Sequence, residues 1–341
     1  MKKILLIATG GTIASRQTGS GLAPQLLARD IISQVPSLQS LCEVDAVQLM
    51  NIDSTNMAPD CWLKLSQCLC AQYDHYDGFV ITHGTDTMAY TACALSYLVQ
   101  NSAKPIVLTG SQHSIYMKDT DARRNLYDAF LAAQDDTLRG VYIVFDGKVI
   151  CGTRARKTRT KSMNAFSSID YPHVALLREG RILHYIREEK QEAKPVFYEK
   201  LNPKIFVLRL IPGMNPEILT MLSEHFDALV IESFGVGGLP CYEQKDFLTG
   251  ISAWTDAGKP IVITTQVPHE GSDLTVYAVG ARAAAQRGVL QAYTMTLESV
   301  VTKLMWILAQ THDLDTIKQL FYTPVSHDLL IFEGTEQVFD E

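Results

Sequence analysis

Three short segments of the chain combine glycine with hydroxyl-bearing residues in a way that could do chemistry. They are "ATGGT" (8–12), "THGTD" (82–86) and "LTGSQ" (108–112), and each follows a short apolar run. A glycine-rich turn after a strand could cradle a phosphate with its backbone N–H groups, or it could expose a threonine hydroxyl as a nucleophile. Serine, threonine and aspartate at such positions also cap helices, which is a purely structural use. The three strand-end segments alone leave these interpretations open.

The glycine spacing argues against the common nucleotide-binding motifs. "ATGGTIAS" does not match G-x-G-x-x-G, and the two Gly-Lys pairs continue into Val149 and Pro260 instead of serine or threonine. No G-x-S-x-G segment of a serine hydrolase is present either. What remains is the chemistry of a threonine, which is a weak nucleophile unless a neighbour accepts its proton. A lysine can be that neighbour where burial or a nearby cation lowers its pKa.

The composition is that of a folded protein and argues against several classes of function. Of the 341 residues, 47% are hydrophobic and 20% are charged. The formal net charge of −7 disfavours a surface that binds nucleic acid or an anionic membrane. No apolar run approaches the ~20 residues that span a bilayer. We therefore expect neither a nucleic-acid partner nor a membrane partner.

The amino-terminal segment and the cysteines predict a cytoplasmic protein without a metal. The first apolar run, residues 4–8, is shorter than the roughly 7–15 residues of a signal-peptide core, so we expect it to be a strand. The seven cysteines include no C-x-x-C pair, and no ligand spacing of a zinc site or an EF-hand occurs. We expect no metal and no cofactor.

Short runs rich in β-branched residues alternate along the chain with stretches of helical periodicity. This alternation predicts parallel sheets covered by helices, and therefore an α/β fold. A charged, proline-containing stretch predicts a linker, 191–203, between a first domain, 1–190, and a second, 204–341. The predicted strands are 4–8, 78–82, 106–109, 141–145, 205–210, 229–232 and 261–264, and the predicted helices are 60–73, 88–100 and 121–133.

The strand-end segments are expected to form one site. In an α/β sheet, ligands bind in the crevice beyond the carboxyl ends of the strands. All three segments follow predicted strands of the first domain. We therefore expect their hydroxyl groups to line one crevice at the carboxyl edge of the sheet.

Four longer stretches resemble the bacterial L-asparaginases. They are "ATGGTIAS", "DGFVITHGTDTMAYTACALSYL", "KPIVLTGSQ" and "VYIVFDGKVICGTRARKTRTKSMNAFSSIDYP", and the similarity covers essentially the full chain. "NIDSTNM" (51–57) and a start without a leader are similar to the type I, cytoplasmic branch. The resemblance implies a larger amino-terminal domain with a mainly parallel, flavodoxin-like sheet and a smaller, Rossmann-like carboxyl-terminal domain.

The resemblance implies an L-asparagine amidohydrolase that forms a covalent threonine ester, releases ammonia and then hydrolyses the ester to L-aspartate. By motif, Thr12 is the nucleophile. A second catalytic group contains Thr85, Asp86 and Lys157. Lys157 is assigned because "GTRARKTRTK" matches the family's G-x-R-x-x-K pattern, and it is expected to withdraw a proton through Thr85. Asp86 is expected to hold the α-ammonium group of the substrate.

Further substrate contacts follow from the same resemblance. Ser54 and Thr55 lie where the family binds the α-carboxylate and α-amino ends of the substrate. Gly11 and Gly84 are expected to line the substrate. Backbone N–H groups near Gly11 and Thr85 are the expected oxyanion donors.

One segment departs from the family pattern. Many relatives carry a tyrosine that closes the site, whereas "SRQTGSGLAP" (15–24) has none and Leu22 stands near its position. The run from Gly19 to Gly21 is typical of a lid hinge. Either another tyrosine takes the place of the missing one or Thr12 is activated without one. The candidate for this catalytic tyrosine is Tyr277, because in relatives an equivalent residue of the carboxyl-terminal domain reaches the site of a neighbouring subunit, and we expect a homodimer or homotetramer. His83 has no proton-transfer role in the motif, so we expect it to form structural hydrogen bonds.

Three other functions fit these motifs. A glutaminase substrate differs by one methylene, which a pocket discriminates by only roughly 1–3 kcal/mol, so minor glutaminase activity fits the same site. A subunit of a tRNA-dependent amidotransferase has an extra amino-terminal domain, whereas this chain enters its catalytic strand at residue 4. A non-catalytic amino-acid sensor on the same fold would need the pocket but neither the nucleophile nor the proton relay.

Overall fold

The chain divides into two compact units, Met1–Glu199 and Lys200–Glu341. The computed structural model describes residues 1–18, 21–24, 26–187, 193–242 and 245–330, and the two units are described separately. Residues 191 and 192 of the predicted linker, 191–203, lie outside the described residues. The rest of that stretch contains a short strand that pairs within the first unit.

The first unit contains the following helices and strands. Its strands are β1 Lys3–Gly10, β2 Ser15–Thr18, β3 Gly21–Pro24, β4 Glu43–Ile52, β5 Gly78–Thr82, β6 Val99–Gln100, β7 Pro105–Thr109, β8 Gly140–Phe145, β9 Lys148–Cys151, β10 Ala155–Lys157, β11 Phe166–Ser168, β12 Ala175–Arg178, β13 Arg181–His184 and β14 Val196–Phe197. Its helices are α1 Ala28–Ser33, α2 Leu38–Leu41, α3 Pro59–Gln72, α4 Met88–Leu98 and α5 Ala122–Ala133.

Eight strands in the described part of this unit form one sheet in the order β13-β12-β9-β8-β7-β5-β1-β4. The five strands β4, β1, β5, β7 and β8 pair in parallel, and the remaining three are antiparallel. In chain order the parallel part reads 2-1-3-4-5, which is the flavodoxin-like arrangement. The expected α/β class and flavodoxin-like sheet are therefore confirmed. The order reverses between β1 and β5, and such a reversal opens a ligand crevice at the carboxyl ends of the two strands.

Both faces of the parallel strands are buried, as their continuous apolar runs predict. Ile4, Leu6 and Ala8 belong to one buried cluster together with α5 side chains such as Leu126. Leu5 and Ile7 point to the opposite face, because side chains alternate along a strand, and they are also buried. The sheet is consequently fixed on both sides, and its carboxyl edge is a rigid support for the loops that follow.

The second unit is built on a smaller parallel sheet. Its strands are β15 Ile205–Arg209, β16 Ala228–Ser233, β17 Cys241–Tyr242, β18 Lys245–Asp246, β19 Ile261–Thr265 and β20 Val289–Gln291, and its helices are α6 Ile218–Ser223, α7 Phe247–Asp256, α8 Ala278–Ala284, α9 Leu297–Leu308 and α10 Leu314–Tyr322. The order β15-β16-β19-β20 follows the chain without a reversal, and the pairs are parallel. Phe247, Ile251 and Trp254 of α7 pack on this sheet in one buried cluster.

The predicted elements agree with the structure except at their ends. The strand 78–82 matches β5, whereas the predicted helix 88–100 ends earlier, at Leu98. Val99 and Gln100 instead form β6, which pairs with β14, a strand almost one hundred residues away in sequence. A local helical periodicity cannot reveal a pairing of that separation.

Candidate active site

Glycines allow three loops to meet at the carboxyl edge of the first sheet. Gly11 follows β1 with φ of 81°, and a Cβ added to it would lie 2.4 Å from the backbone nitrogen of Gly84, which follows β5. A Cβ on Gly84 would in turn lie 2.5 Å from Oγ of Ser54, which follows β4. Real Cβ atoms do not approach other atoms so closely, so only glycine permits this contact. The three loops therefore touch at the strand-order reversal.

Replacing Gly11 with alanine should lower the free energy of unfolding by roughly 3 kcal/mol or more and remove activity, because the new Cβ collides with backbone atoms. Gly258→Ala is the matched control. Gly258 has a similar φ of 76° but no atom within 4 Å of an added Cβ, so it carries only the conformational cost of about 1–2 kcal/mol. Urea unfolding of both variants checks this. Equal losses in the two variants would contradict the role of the close contact.

Thr12 is held at the start of a short 3-10 helix, Thr12–Ala14, immediately after this contact. The backbone N–H of Gly11 donates to the carbonyl of Ile52 at 3.1 Å, and the Gly11 carbonyl accepts from Ala14 N and from Ser15 Oγ. The backbone before Thr12 is therefore fixed on both sides. The Thr12 side chain is half-buried.

Three of the predicted residues form a hydrogen-bonded cluster at the Gly84 loop. The Lys157 ammonium donates to Thr85 Oγ1 at 2.7 Å and to Asp86 Oδ1 at 2.6 Å. Thr85 is 5% exposed and the Lys157 side chain 15%, whereas the Asp86 side chain is 58% exposed. Lys157 reaches this point because β10 pairs antiparallel with β11 and ends at that residue. Among the described residues, Asp86 Oδ2 has no hydrogen-bond partner.

Ser54 and Thr55 do not play equivalent parts. Ser54 is buried against Gly84, and its carbonyl accepts a hydrogen bond of 2.7 Å from Thr87 Oγ1. The exposed Thr55 directs both its backbone N–H and its hydroxyl to Asp53 Oδ1, each at 2.9 Å. The structure thus brings Ser54 to the three-loop contact but binds the Thr55 side chain within its own turn.

His83 lies beneath the crevice in a fully buried chain of hydrogen bonds. Its Nδ1 is 2.7 Å from the Gly84 carbonyl, which can only accept, so Nδ1 carries the proton. Its Nε2 therefore accepts from Thr91 Oγ1 at 2.9 Å, and that hydroxyl oxygen accepts from Trp62 Nε1 at 3.0 Å. Burial lowers the pKa of His83 to about 4, so the imidazole is neutral at neutral pH.

Acidification should destabilise the protein through His83. The unfolded chain binds a proton near the ordinary pKa of 6.5 and the folded chain only near 4, so the contribution is complete above pH 6.5 and is lost as the pH falls to 4. The loss is on the order of 3 kcal/mol. Urea unfolding of wild type and His83→Gln between pH 7 and 4 measures it. The variant should lose less stability across this interval, and parallel curves would contradict the assignment.

Gln112 is a residue of the site that the predicted residue set does not contain. Its Oε1 accepts from Thr85 Oγ1 at 3.2 Å, and its Nε2 donates to the carbonyls of Thr160 and Ser162, each at 3.1 Å. The signal in the sequence is its place in the third strand-end segment, "LTGSQ", after β7. Loops after the four adjacent strands β4, β1, β5 and β7 therefore all contribute to the site.

The two remaining predicted features are Tyr277 and the lid hinge. Tyr277 is 55% exposed and directly precedes α8 in the second unit. Gly19 and Ser20 of the predicted hinge lie outside the described residues, as does the side chain of Leu22. The backbone of Leu22 pairs with that of Gln17 in the β2–β3 hairpin.

The described ranges contain neither a metal cluster nor a membrane-spanning helix. No group of three or more His, Cys, Asp or Glu side chains there is arranged to hold a metal ion. None of the helices placed by the structure combines the length and apolarity needed to cross a membrane.

Family models, a relative in sequence and a solved structure all match this chain to asparaginases. Family models described as "Asparaginase, N-terminal" and "Glutaminase/Asparaginase C-terminal domain" match residues 3–190 and 204–321. The L-asparaginase of Thermococcus kodakarensis is 38% identical over 329 residues, which are 96% of this chain and 99% of the relative. The solved thermostable L-asparaginase from that organism has a TM-score of 0.91 at 37% identity and covers 97% of this chain and 100% of its own.

Two further proteins are similar to this chain, one in structure and one in sequence. L-asparaginase I of Vibrio cholerae has a TM-score of 0.87 at 27% identity, with 97% of this chain and 99% of that chain covered. A glutamyl-tRNA(Gln) amidotransferase chain of Sulfurisphaera tokodaii is 33% identical over 336 residues, which are 94% of this chain but 74% of the relative. Because both family models match and the Thermococcus relative aligns over almost all of both chains, this chain belongs to the type I branch of the asparaginase family.

Proposed function

We propose that this chain hydrolyses L-asparagine to L-aspartate and ammonia through a covalent ester on Thr12. The observation that carries the proposal is the Lys157 ammonium, which binds Thr85 Oγ1 and Asp86 Oδ1. Thr12 and Thr85 each directly follow a glycine, and those two glycines are in contact. A hydroxyl nucleophile and a lysine–threonine pair that can move protons thus lie at one sheet edge.

The reaction runs in two displacements. Thr12 Oγ1 forms a bond to the side-chain amide carbon of asparagine as the carbonyl π electrons move to oxygen, and its proton passes through Thr85 Oγ1 to the neutral amine form of Lys157. The tetrahedral intermediate collapses by breaking the C–N bond, and Lys157 returns the proton through Thr85 to the amide nitrogen, so that ammonia leaves. Water then attacks the β-aspartyl ester, so that the C–Oγ1 bond breaks and Thr12 recovers its proton. Backbone N–H groups near Gly11 and Thr85 stabilise the oxyanion, each typically by ~3–4 kcal/mol.

The substrate is recognised by polar groups around Thr12, Thr85 and Lys157. Asp86 binds the α-ammonium group through the carboxylate oxygen that Lys157 does not use. Ser54 and Thr55 bind the α-carboxylate and α-amino ends, and Gly11 and Gly84 let the substrate approach the backbone. The Thr55 hydroxyl is bound to Asp53 Oδ1. Thr55 therefore binds the substrate either through its backbone or after its side chain has rotated away from Asp53.

A direct assay tests the proposed function. Ammonia release from L-asparagine and L-glutamine is measured side by side, with isothermal titration of both amino acids. Turnover of asparagine with slower turnover of glutamine supports the proposal. Binding of asparagine without ammonia release would overturn it in favour of an amino-acid sensor, which is the alternative function. Preference for glutamine would overturn the substrate assignment alone.

Three finer points are part of the proposal. The protein is a homodimer or homotetramer, Tyr277 of one subunit completes the site of another, and the enzyme works in the cytoplasm. Each of these rests on the type I resemblance. Tyr277 is compatible with such a contact because its ring is largely exposed within its own unit.

A further inference from the structure

We infer that Gln112 is a positioning residue that fixes the direction in which the Thr85 hydroxyl donates its proton. This inference rests on the proposed function, in which Thr85 and Lys157 transfer protons. It adds a residue to the site that acts through Thr85 and not on the substrate.

The amide of Gln112 can adopt only one orientation. Both hydrogens of Nε2 are used, because it donates to the carbonyls of Thr160 and Ser162 at 3.1 Å each. A flipped amide would place Oε1 against those two carbonyls, which can only accept. Oε1 therefore faces Thr85 and acts purely as an acceptor, at 3.2 Å from Oγ1.

The backbone of Gln112 is fixed as firmly as its side chain. Asp121 accepts hydrogen bonds from the backbone N–H groups of Gln112 and His113, at 2.9 and 3.0 Å. Asn125 donates to the Gly110 carbonyl at 3.0 Å and to Asp121 at 3.2 Å. Buried groups at the start of α5 thus fix the backbone of Gln112, while the carbonyls of Thr160 and Ser162 in the exposed loop fix the orientation of its amide.

This geometry decides where the single proton of Thr85 points. With that proton on Gln112 Oε1, a lone pair of Oγ1 receives an N–H of Lys157, which suits the ammonium form of lysine. A neutral lysine has a lone pair that needs a donor, so the Thr85 hydroxyl must rotate from Gln112 to Lys157 before a proton can pass between them. Gln112 and Lys157 consequently compete for the same proton, and Gln112 favours the resting arrangement.

Two substitutions of similar size move this competition in opposite directions. Gln112→Glu places a carboxylate within about 6 Å of Lys157 Nζ, by the 3.2 and 2.7 Å contacts, and strengthens the acceptor for Thr85. The acid limb of the kcat–pH profile is the range in which activity rises with pH as Lys157 becomes neutral. In Gln112→Glu this limb should move up by roughly one pH unit. Gln112→Met offers no oxygen acceptor, so the Thr85 proton is free to turn to Lys157, and the acid limb should move down. Gln112→Glu, which holds the Thr85 proton more strongly, should also lower kcat at neutral pH at least about fivefold, and KM should change less than about twofold in both variants.

The surroundings allow these shifts to be assigned. The other charged groups and the histidine on the elements around the contact are Asp86, His113, Lys118, Asp119, Asp121, Arg156, Arg159 and Lys161, and both variants leave all of them in place. Gln134→Glu is the matched control. It adds the same charge at the end of α5, next to Ala133, whose carbonyl lies against Gly78 at the opposite, amino edge of β5. Its profile should follow wild type.

Each result has a defined meaning. Opposite shifts of the acid limb support the inference, whereas unchanged profiles, or shifts in the same direction, overturn it. If Gln112→Glu does not fold, by thermal unfolding, Gln112→Met decides alone: a downward shift supports the inference and an unchanged limb overturns it. Failure of the proposed function is distinct, since wild type would then release no ammonia or Lys157→Met would remain fully active.

Discussion

Replacing Thr12 with alanine is expected to lower kcat for ammonia release from L-asparagine by at least about 10⁴-fold, the scale seen when a covalent hydrolase loses its nucleophile. Thr12 is the hydroxyl residue that directly follows Gly11, the glycine of the β1 loop that contacts Gly84. Stability should change little, because the side chain is only half-buried. Coupled detection of ammonia measures the loss.

Two controls separate chemistry from binding in this experiment. Thr12→Ser keeps the hydroxyl and should retain activity well above that of Thr12→Ala. Thr12→Ala should still bind asparagine by isothermal titration, because Asp86 and Ser54 are unchanged. Retention of more than about a tenth of wild-type turnover in the alanine variant would remove Thr12 from the nucleophile role.

Replacing Lys157 with methionine is the second large effect, with an expected fall in kcat of about 10³–10⁴-fold. The substitution keeps the side-chain length but removes the hydrogen bonds to Thr85 Oγ1 and Asp86 Oδ1. Lys161→Met is the matched control. Lys161 lies on the exposed loop that follows β10, and its loss should leave kcat within about twofold.

A third variant distinguishes proton transfer from simple charge. Lys157→Arg keeps a positive charge that can bind Asp86, but a guanidinium is not deprotonated in proteins. If Lys157 accepts a proton, the arginine variant should be nearly as inactive as the methionine variant. Substantial rescue by arginine would show that the cation serves only to hold Asp86 and Thr85 in place.

Much of the site could be predicted from sequence because it follows local rules. A strand that ends in Gly10 and Gly11, and another that ends before Gly84, signal sharp turns at a sheet edge, and the parallel sheet brings such ends together. The motif gives His83 no proton-transfer role. The hydrogen bonds of its buried, neutral imidazole agree with a structural role.

The rest depends on contacts between distant parts of the chain. Gln112 is bonded to carbonyls 48 and 50 residues away, and no periodicity or motif encodes those acceptors. Lys157 stands in a run of basic residues that, taken alone, is typical of a solvated or nucleic-acid-facing loop. The β10–β11 pairing brings it to Thr85. The bond of Thr55 to Asp53 is a local turn that competes with the predicted substrate contact.

The contact between Gly11 and Gly84 has a consequence for protein engineering. A side chain at either glycine would collide with atoms of the facing loops. Every single substitution at these positions should therefore be destabilising, and the active variants of a directed-evolution library should keep both glycines. Residues 158–163 are exposed and are attached to the centre largely through one glutamine amide. Selection for a different amide substrate should therefore accumulate its accepted changes in that loop, while the two glycines stay fixed.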